Sequence, residues 1–304
     1  MEYTASASAK TILFGEHAVV YGEPAIAIPL SEIRTEVKYR PESNHSADLK
    51  IISSAFPHPA QLSELPRNSG ITSLFRLLQE ADILGGEPTG ELEIRSQIPI
   101  ASGLGSGAAL SIALIRCFLK ATKKKGTDEQ VNHWAYQIEK IYHGNPSGID
   151  NTVICYEKPL IFRKGDAPRL LKTPNPPLPL LVIDSGIRSE TIKVVASVRE
   201  SYPKNAGIIQ AIGKLTQEAI SEVENGNIRE VGRMMNENQL LLRALGVSSA
   251  ELDNMASIAL ENGAIGAKLT GAGAGGNLLA LSSDMDQAKS LKKVFESKGY
   301  KTFL

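Results

Sequence analysis

Two glycine-rich segments of the sequence have the composition of anion-binding loops. The first, residues 99–109, reads PIASGLGSGAA and runs directly into an apolar stretch that predicts a helix. Glycines let the backbone approach a ligand, and the unpaired N–H groups and dipole of a first helical turn favour a negative charge. The hydroxyl of Ser106 could reach a phosphate or its Mg²⁺. The second segment, residues 271–276, reads GAGAGG and indicates close approach of backbone or ligand. Taken alone, the first segment is equally consistent with tight packing, and the second slightly favours a packing role.

Five ionisable residues lie in apolar or turn segments where a charge needs an explanation. Lys10 follows Ala9 at the start of a predicted strand, Glu16 and His17 occupy a turn, Glu139 lies near the end of a predicted helix, and Asp150 precedes an apolar run. Taken singly, each has a structural explanation. A solvated helix face would account for Glu139, and backbone amides at a loop end would account for Asp150.

Taken together, the same features indicate phosphoryl transfer. That reaction needs an anion cradle, a cation for the developing charge, a carboxylate for Mg²⁺ and a carboxylate near the nucleophilic hydroxyl. The two loops, Lys10, Glu139 and Asp150 supply one candidate for each. We therefore predict phosphoryl transfer assisted by Mg²⁺.

The composition narrows the class of protein. The 304 residues contain 33 basic and 33 acidic side chains, so the net charge is zero, which argues against a duplex nucleic acid or an anionic membrane as partner. Two cysteines, Cys117 and Cys155, are too few for a disulfide framework. The sequence shows no signal peptide and no apolar run of about 20 residues. We expect a cytoplasmic protein with a small-molecule substrate.

Strand and helix patterns alternate irregularly along the chain, which predicts an α+β protein. A Pro-rich stretch at 174–180 is the clearest change in composition, and we expect two domains, 1–165 and 166–304. A capping box is predicted at Thr127 and a C-terminal glycine at Gly126. The predicted strands cover 11–14, 18–21, 25–30, 34–39, 91–95, 180–183 and 277–281. The main predicted helices cover 71–84, 108–119, 128–143, 203–224, 227–243, 249–262 and 284–298.

Three motifs in this order resemble those of the GHMP small-molecule kinases. They read KTILFGEHAVVYG at 10–22, PIASGLGSGAA at 99–109 and KLTGAGAGG at 268–276. Within that superfamily, GEHAVVYG, HGNPSGIDN at 143–151 and NENQLLLRALGVS at 236–248 resemble the mevalonate kinases. Galactokinases carry GEHTD instead of the first of these. The resemblance implies an N-terminal domain like domain 2 of ribosomal protein S5 and a ferredoxin-like C-terminal domain.

The resemblance also implies a role for individual residues. Asp150 resembles the catalytic base, Lys10 its partner, and Glu139 and Ser106 the Mg²⁺ ligands. The implied ATP-binding residues are Pro99, Ser102, Gly103, Leu104, Gly105, Ser106, Gly107 and Ala108. The implied substrate-binding residues are Glu16, His17, Ser147, Arg188, Thr191, Thr270 and Gly271.

Three departures from the family pattern affect these assignments. The phosphate loop usually ends in two serines, whereas Gly107 stands at the second position here. The first motif begins Ala-Ser-Ala-Lys10 instead of Ala-Pro-Gly-Lys. One additional residue near Arg188 makes the alignment of Thr191 less direct.

The implied activity is ATP-dependent phosphorylation of (R)-mevalonate to 5-phosphomevalonate in isoprenoid biosynthesis. The alternative enzymatic activity is phosphorylation of phosphomevalonate, or of mevalonate at its 3-hydroxyl. A ligand sensor without catalysis is the non-enzymatic one, and the intact Lys10, Glu139 and Asp150 argue against it. A homodimer is one assembly that the sequence allows.

Overall fold

A computed structural model describes residues 1–42, 48–143, 146–174, 177–189 and 191–304. The chain forms two compact units, which differ from the predicted domains 1–165 and 166–304. Unit 1 comprises residues 1–9, 30–100 and 105–157, and unit 2 comprises residues 10–29, 101–104 and 158–304. A single cut could not describe this division because two long strands, β1 (Tyr3–Phe14) and β2 (Ala25–Pro41), contribute residues to both units.

Unit 1 combines a strand array with four helices. Residues 35–41 of β2 pair antiparallel with β5, β5 pairs parallel with β3, and β3 pairs antiparallel with β4. Helix α2 contacts both α3 and α4, and its apolar residues are buried almost throughout. The bounds are β3 (Leu49–Ser53), β4 (Ala60–Gln61), β5 (Gly90–Ser96), α1 (Gly70–Glu80), α2 (Ser106–Thr122), α3 (Asp128–His143) and α4 (Ile149–Tyr156).

Unit 2 contains an antiparallel four-stranded sheet in the order β11-β8-β10-β9. Helices α7, α8 and α9 contact this sheet, and residues 25–27 of β2 pair separately with β6. The bounds are β6 (Leu160–Phe162), β7 (Arg169–Leu170), β8 (Leu180–Asp184), β9 (Gly266–Thr270), β10 (Asn277–Leu281), β11 (Lys301–Phe303), α5 (Thr191–Glu200), α6 (Tyr202–Asn225), α7 (Ile228–Ala244), α8 (Ala250–Glu261) and α9 (Met285–Ser297). The α+β class is confirmed.

The segment after the first turn is not the predicted strand 18–21 but a 3₁₀ helix, Ala18–Tyr21. Gly15 and His17 both have positive φ angles, of 95° and 61°, which reverse the chain before the segment begins. The following N–H groups then bond locally, Ala18 to the Glu16 carbonyl and Val19 to the Gly15 carbonyl. Local hydrogen bonds thus replace the sheet ladder that the apolar pattern predicted.

The end of α2 also differs from its predicted form. Lys123, with a φ of 58°, takes the left-handed position at the helix end, and Gly126 lies further on in the connection to α3. The capping box that opens α3 is confirmed. The Thr127 N–H donates to the Gln130 side chain at 3.0 Å, and the Gln130 N–H donates to the Thr127 hydroxyl at 3.3 Å.

The edge strand β9 of unit 2 is held by amide side chains of α7. Its outward N–H groups, at Ala267 and Leu269, donate to the side chains of Asn236 and Gln239 at 2.9 and 2.8 Å. These bonds satisfy an edge that would otherwise be unpaired. They also fix the register of α7 along β9, which determines where Asn238 lies.

No helix among the described residues is long and apolar enough to cross a membrane.

Candidate active site

The phosphate-loop segment of unit 1 leads into an uncapped helix start. Gly105, in the left-handed conformation, is the N-cap of α2 and supplies no side-chain cap to the first turn. Ser106 and Gly107 are the first two helical residues, followed by the buried Ala108. The first turn carries no acidic residue that would neutralise the dipole. This arrangement is suited to a phosphate group.

Glu139 lies beside this helix start. It belongs to α3, is 5% exposed, and its Oε1 lies 3.4 Å from the position that a Cβ at Gly107 would occupy. The serine usual at position 107 would therefore reach the carboxylate directly. With glycine there, a carboxylate oxygen lies next to the first turn of α2 with no side chain in between.

Asp150 lies at the second position of another helix, α4, in unit 1. Gly148 is its left-handed N-cap, and Asp150 is the only acid of the first turn. The Ser147 hydroxyl accepts a hydrogen bond from the Ile149 N–H at 3.3 Å, so it shapes the turn that presents Asp150. Asp150 is half-buried.

Residues 101–104, which continue the phosphate loop, belong to unit 2 and are anchored there. The Asn277 side-chain amide donates to the Ser102 carbonyl at 2.6 Å. Gly103 packs on the backbone of Gly271, where an added Cβ would lie 3.2 Å from the Gly103 Cα. Two glycine-rich motifs that the sequence separates by more than 160 residues therefore meet through their backbones.

Lys10 is anchored beside the same loop. Its backbone N–H donates to the Leu104 carbonyl at 3.1 Å, and the residue is 2% exposed. The strand β1 thus delivers this lysine next to loop residues that the sequence assigned to ATP.

Thr270 uses its hydroxyl to join two segments of unit 2. The hydroxyl accepts from the Ile12 N–H at 3.0 Å, lies 3.1 Å from the Ile12 carbonyl and 3.0 Å from the Thr11 hydroxyl. Thr270 is buried, so these bonds tie β1 to the end of β9. The hydroxyl oxygen of Thr270 is thus engaged by the backbone, and its contact with a substrate stays a prediction.

His17 makes a second tie to the same region. It is buried, and its Nε2 lies 2.9 Å from the Ala272 carbonyl. Because a carbonyl only accepts, Nε2 carries the proton and the neutral ring keeps Nδ1 as an acceptor. Burial lowers the pKa of His17 to about 4, and the bond to Ala272 opposes this only in part.

The buried neutral His17 predicts a specific pH dependence of stability. Its pKa is about 4 in the folded protein against an ordinary value of 6.5, so the unfolded chain binds the additional proton and stability is lost as pH falls from 6.5 towards 4. The expected loss from this residue is about 2 kcal/mol between pH 7 and pH 5. Urea unfolding at both pH values measures it. His17→Gln keeps a donor for Ala272 but does not titrate, so an equal loss in that variant would contradict the assignment.

Glu16 and Lys268 form a fully buried ion pair in unit 2. Lys268 Nζ donates to Glu16 Oε1 and, at 2.7 Å, to the Leu269 carbonyl. The Asn238 amide donates to Glu16 Oε2 at 3.3 Å. Burial raises the pKa of Glu16 and lowers that of Lys268, and their mutual attraction opposes both effects. Both carboxylate oxygens of Glu16 therefore have protein partners.

Arg188 is held in place by an acid that the sequence did not single out. Its guanidinium donates twice to the buried Asp184, each time at 2.8 Å. Burial alone would raise the pKa of Asp184, but the bonds from Arg188 and the Gly186 N–H, together with the charges of Arg188 and Lys301, outweigh it and leave the pKa below its ordinary value. The neighbouring Ser189 hydroxyl donates to the Gly273 carbonyl at 2.7 Å. Thr191 is exposed at the first residue of α5, and its side chain makes no hydrogen bond to another residue that the structure describes.

Sequence reasoning thus missed three side chains: Asp184, Asn238 and Lys268. Lys268 was visible as a charge in a strand whose other members are small or apolar. Asn238 lies between Asn236 and Gln239 on α7, and only the register of that helix on β9 reveals its role. Asp184 ends an apolar strand four residues before Arg188, a spacing that could have suggested the pair.

Two protein families match the chain. The family described as GHMP kinases N terminal domain matches residues 70–158, and the family described as GHMP kinases C terminal matches residues 219–301. The matches fall in the expected order and include Ser106, Glu139, Asp150, Lys268 and Thr270.

Individual relatives agree with the family matches. Mevalonate kinase from Pyrococcus abyssi is 36% identical over 302 residues, covering 91% of this chain and 88% of the relative. The crystal structure of Methanococcus jannaschii mevalonate kinase has a TM-score of 0.85 at 24% identity, covering 100% of this chain and 97% of that one. L. major mevalonate kinase in complex with R-mevalonate has a TM-score of 0.82 at 27% identity, covering 97% and 91%. These three relatives, one found by sequence and two by fold, each match more than nine-tenths of this chain.

Proposed function

Because the chain belongs to the mevalonate kinase family of the GHMP kinases, we propose that it transfers the γ-phosphoryl group of ATP to the primary hydroxyl of (R)-mevalonate. The product is 5-phosphomevalonate, an intermediate of the mevalonate pathway to isoprenoids. The observation within the structure that supports this most is the uncapped N-terminus of α2 with the carboxylate of Glu139 beside it. That pairing suits a nucleotide phosphate chain accompanied by a cation.

ATP is bound through backbone groups. The first-turn N–H groups of α2, at Ser106, Gly107 and Ala108, have no side-chain cap and would donate to phosphate oxygens. The Ser106 hydroxyl adds a further donor. Residues 101–104 and Pro99 complete the loop, and residues 101–104 are held by the bond from Asn277 to the Ser102 carbonyl and the bond from the Lys10 N–H to the Leu104 carbonyl.

Asp150 accepts the proton of the substrate hydroxyl. As the proton leaves, the hydroxyl oxygen forms a bond to the γ-phosphorus, and the bond from that phosphorus to the β,γ-bridging oxygen breaks to release ADP. Asp150 lies in the first turn of α4, where the helix dipole attracts negative charge. An ionised carboxylate is the form that a general base requires.

Lys10 supplies the positive charge that the transfer needs. Negative charge shifts from the γ-phosphoryl group to the leaving bridging oxygen during the reaction, and a fixed cation in a buried setting stabilises it more than an exposed one would. Lys10 is buried and its backbone is bonded to loop residue Leu104, so its position is defined by the loop itself.

The residues present also fit Mg²⁺. The described residues contain no group of three or more His, Cys, Asp or Glu side chains able to hold a metal. Mg²⁺ in phosphotransferases is held by one or two carboxylates together with substrate phosphates, so a single carboxylate beside the phosphate loop suffices. Glu139 and Ser106 would hold it. When bound, it neutralises charge on the β- and γ-phosphate oxygens.

Glu139→Gln tests this metal assignment. The amide keeps the size of the side chain but is a weaker ligand, so we expect the Mg²⁺ concentration for half-maximal rate to rise about 10–100-fold, as for other perturbed metal sites. Rates measured across a Mg²⁺ titration provide the readout. Glu129→Gln, on the first turn of the same helix, is the matched control. An unchanged Mg²⁺ requirement would contradict the assignment of Glu139 as a metal ligand and leave it a structural role.

On the substrate side, Arg188 offers a fixed positive group. Asp184 orients the guanidinium, and the side chain is 42% exposed, so its remaining N–H groups can meet the carboxylate of mevalonate. His17, Glu16, Ser147, Thr191, Thr270 and Gly271 remain predicted substrate-pocket residues. A cytoplasmic location and a homodimer likewise remain predictions.

An ADP-release assay tests the proposed activity. With ATP and Mg²⁺ present, (R)-mevalonate is offered in parallel with phosphomevalonate, homoserine and galactose. We expect ADP release to depend on mevalonate, with the highest kcat/KM of the four. Faster release with another alcohol, or none with mevalonate, would reject the assigned substrate.

A further inference from the structure

The buried pair Glu16–Lys268, with Asn238, has no part in the phosphoryl-transfer step described above. Its two charged side chains are 0% exposed, and Asn238 is also buried. The three residues come from three elements: the turn before the 3₁₀ helix, strand β9 and helix α7. A charged cluster of this kind needs an explanation, because removing ions from water is costly.

Stability alone is a poor explanation. Replacing a buried ion pair by apolar residues of similar volume is often neutral or stabilising, by about 1–4 kcal/mol. The better-attested use of a buried polar group is to specify one register among several that apolar packing would allow. The register in question here is that between residues 11–17 and residues 268–272.

These two segments carry a set of cross-connections. Thr270 bonds to Ile12, His17 bonds to Ala272, and Glu16 bonds to Lys268. The first connection depends on the single hydroxyl of Thr270, and the second is one hydrogen bond from His17. The ion pair lies next to His17 in sequence and two residues before Thr270. It is therefore placed to determine where both of them lie.

We propose that Lys268 and Asn238 are positioning residues for the alcohol substrate, acting through Glu16. They hold the Glu16 carboxylate inside unit 2, so that the adjacent His17 presents its ring, with Nδ1 as acceptor, at a fixed place beside the Thr270–Ala272 segment. This deepens the proposed function and rests on it. The predicted contact of Glu16 with substrate thereby becomes an indirect one.

The nucleotide should be less affected than the alcohol. Residues 101–104 have their own anchors, at Asn277 on β10 and at the backbone of Lys10, which do not involve the ion pair. The helix start at Ser106 belongs to unit 1. A change in the pair should therefore separate the two substrates kinetically.

The test compares Lys268→Met and Glu16→Gln with the double variant that carries both. Each single change leaves one buried charged or polar partner uncompensated and should lower the melting temperature. The double variant is neutral and should recover it. If the pair positions His17, kcat/KM for mevalonate should stay about 10²-fold below wild type in the double variant, the scale of a small misplacement. The KM for ATP should change by less than threefold.

If the single and double variants fold poorly, a further variant still tests the inference. Glu16→Asp keeps the charge and shortens the side chain by one methylene, so the pair can re-form only if the turn moves. We expect a lower kcat/KM for mevalonate with a nearly normal melting temperature. Arg233→Met is the control, since it removes an exposed ion pair on the same helix, α7, as Asn238.

Two outcomes would overturn the inference. One is a double variant and a Glu16→Asp variant with wild-type kcat/KM for mevalonate. The other is an equal loss for ATP and mevalonate, which would show a general structural role. Both outcomes are measured against a wild-type enzyme that is active on mevalonate. If the wild-type protein does not use mevalonate, it is the proposed function that fails.

Discussion

Replacement of Asp150 by asparagine is expected to lower kcat by about 10²–10⁴-fold, the usual contribution of a general base. Asparagine keeps the shape and the hydrogen-bonding reach of the side chain but cannot accept the substrate proton. Nucleotide affinity should be unchanged, because the helix start of α2 and the loop residues supply it. Steady-state kcat, the Kd of ATP and the melting temperature of the same protein are the three measurements.

The control for Asp150 is Asp286→Asn. Asp286 is likewise an acid at the second position of a helix, α9, with a side chain that is 94% exposed. Both changes remove a charge that favours a helix N-terminus, which is worth about 0.3–1 kcal/mol. If Asp150 served only that purpose, the two variants would lose similar stability and both would retain normal turnover. That result would contradict the assignment of the base.

Replacement of Lys10 by methionine has the second largest expected effect, a loss of kcat of about 10²–10³-fold, as for removal of one preorganised electrostatic group. Methionine fills a similar volume without the charge. Because the backbone bond from Lys10 to Leu104 does not depend on the side chain, the loop should keep its place and bind ATP. Single-turnover rates separate the transfer step from binding.

Two further variants define the origin of that loss. Lys10→Arg keeps a cation and should retain more activity than Lys10→Met. Lys214→Met removes a lysine whose side chain is 81% exposed and should be neutral. Equal turnover in Lys10→Met and wild type, with a lower melting temperature, would make Lys10 a structural residue of the core.

Much of the fold could be predicted from periodicity and end signals. The strand at 277–281 and the helices over 202–225, 228–244 and 285–297 lie within a few residues of their predicted bounds, because apolar spacing and helix-end residues act locally. The strand prediction for Ala18–Tyr21 was wrong. Its apolar pattern suits a strand, but the preceding turn has positive φ angles that depend on tertiary contacts and not on the local pattern. The return of residues 10–29 to unit 2 depends on contacts distant in sequence.

Parts of the candidate site could be predicted where a single local motif identifies the residue. The glycine loop and the acid Asp150 could be found from residue type and context. The buried pairing of Glu16 with Lys268 could not, because 252 residues separate the partners. Nor could the sequence show that the Thr270 hydroxyl bonds to Ile12, since a threonine in a glycine-rich motif is equally suited to a ligand. Such pairings arise from sheet and helix register, which no local pattern encodes.

The most direct test of the central claim is the position of the phosphate in the product, read by proton-coupled ³¹P NMR after reaction with ATP and (R)-mevalonate. Phosphate on the primary hydroxyl is attached to a CH₂ group, so its signal splits into a triplet. Phosphate on the 3-hydroxyl is attached to a carbon without hydrogen, so its signal stays a singlet. We expect a new triplet, formed in equal amount to ADP. A singlet, or ADP without any new phosphate ester, would contradict the assigned reaction.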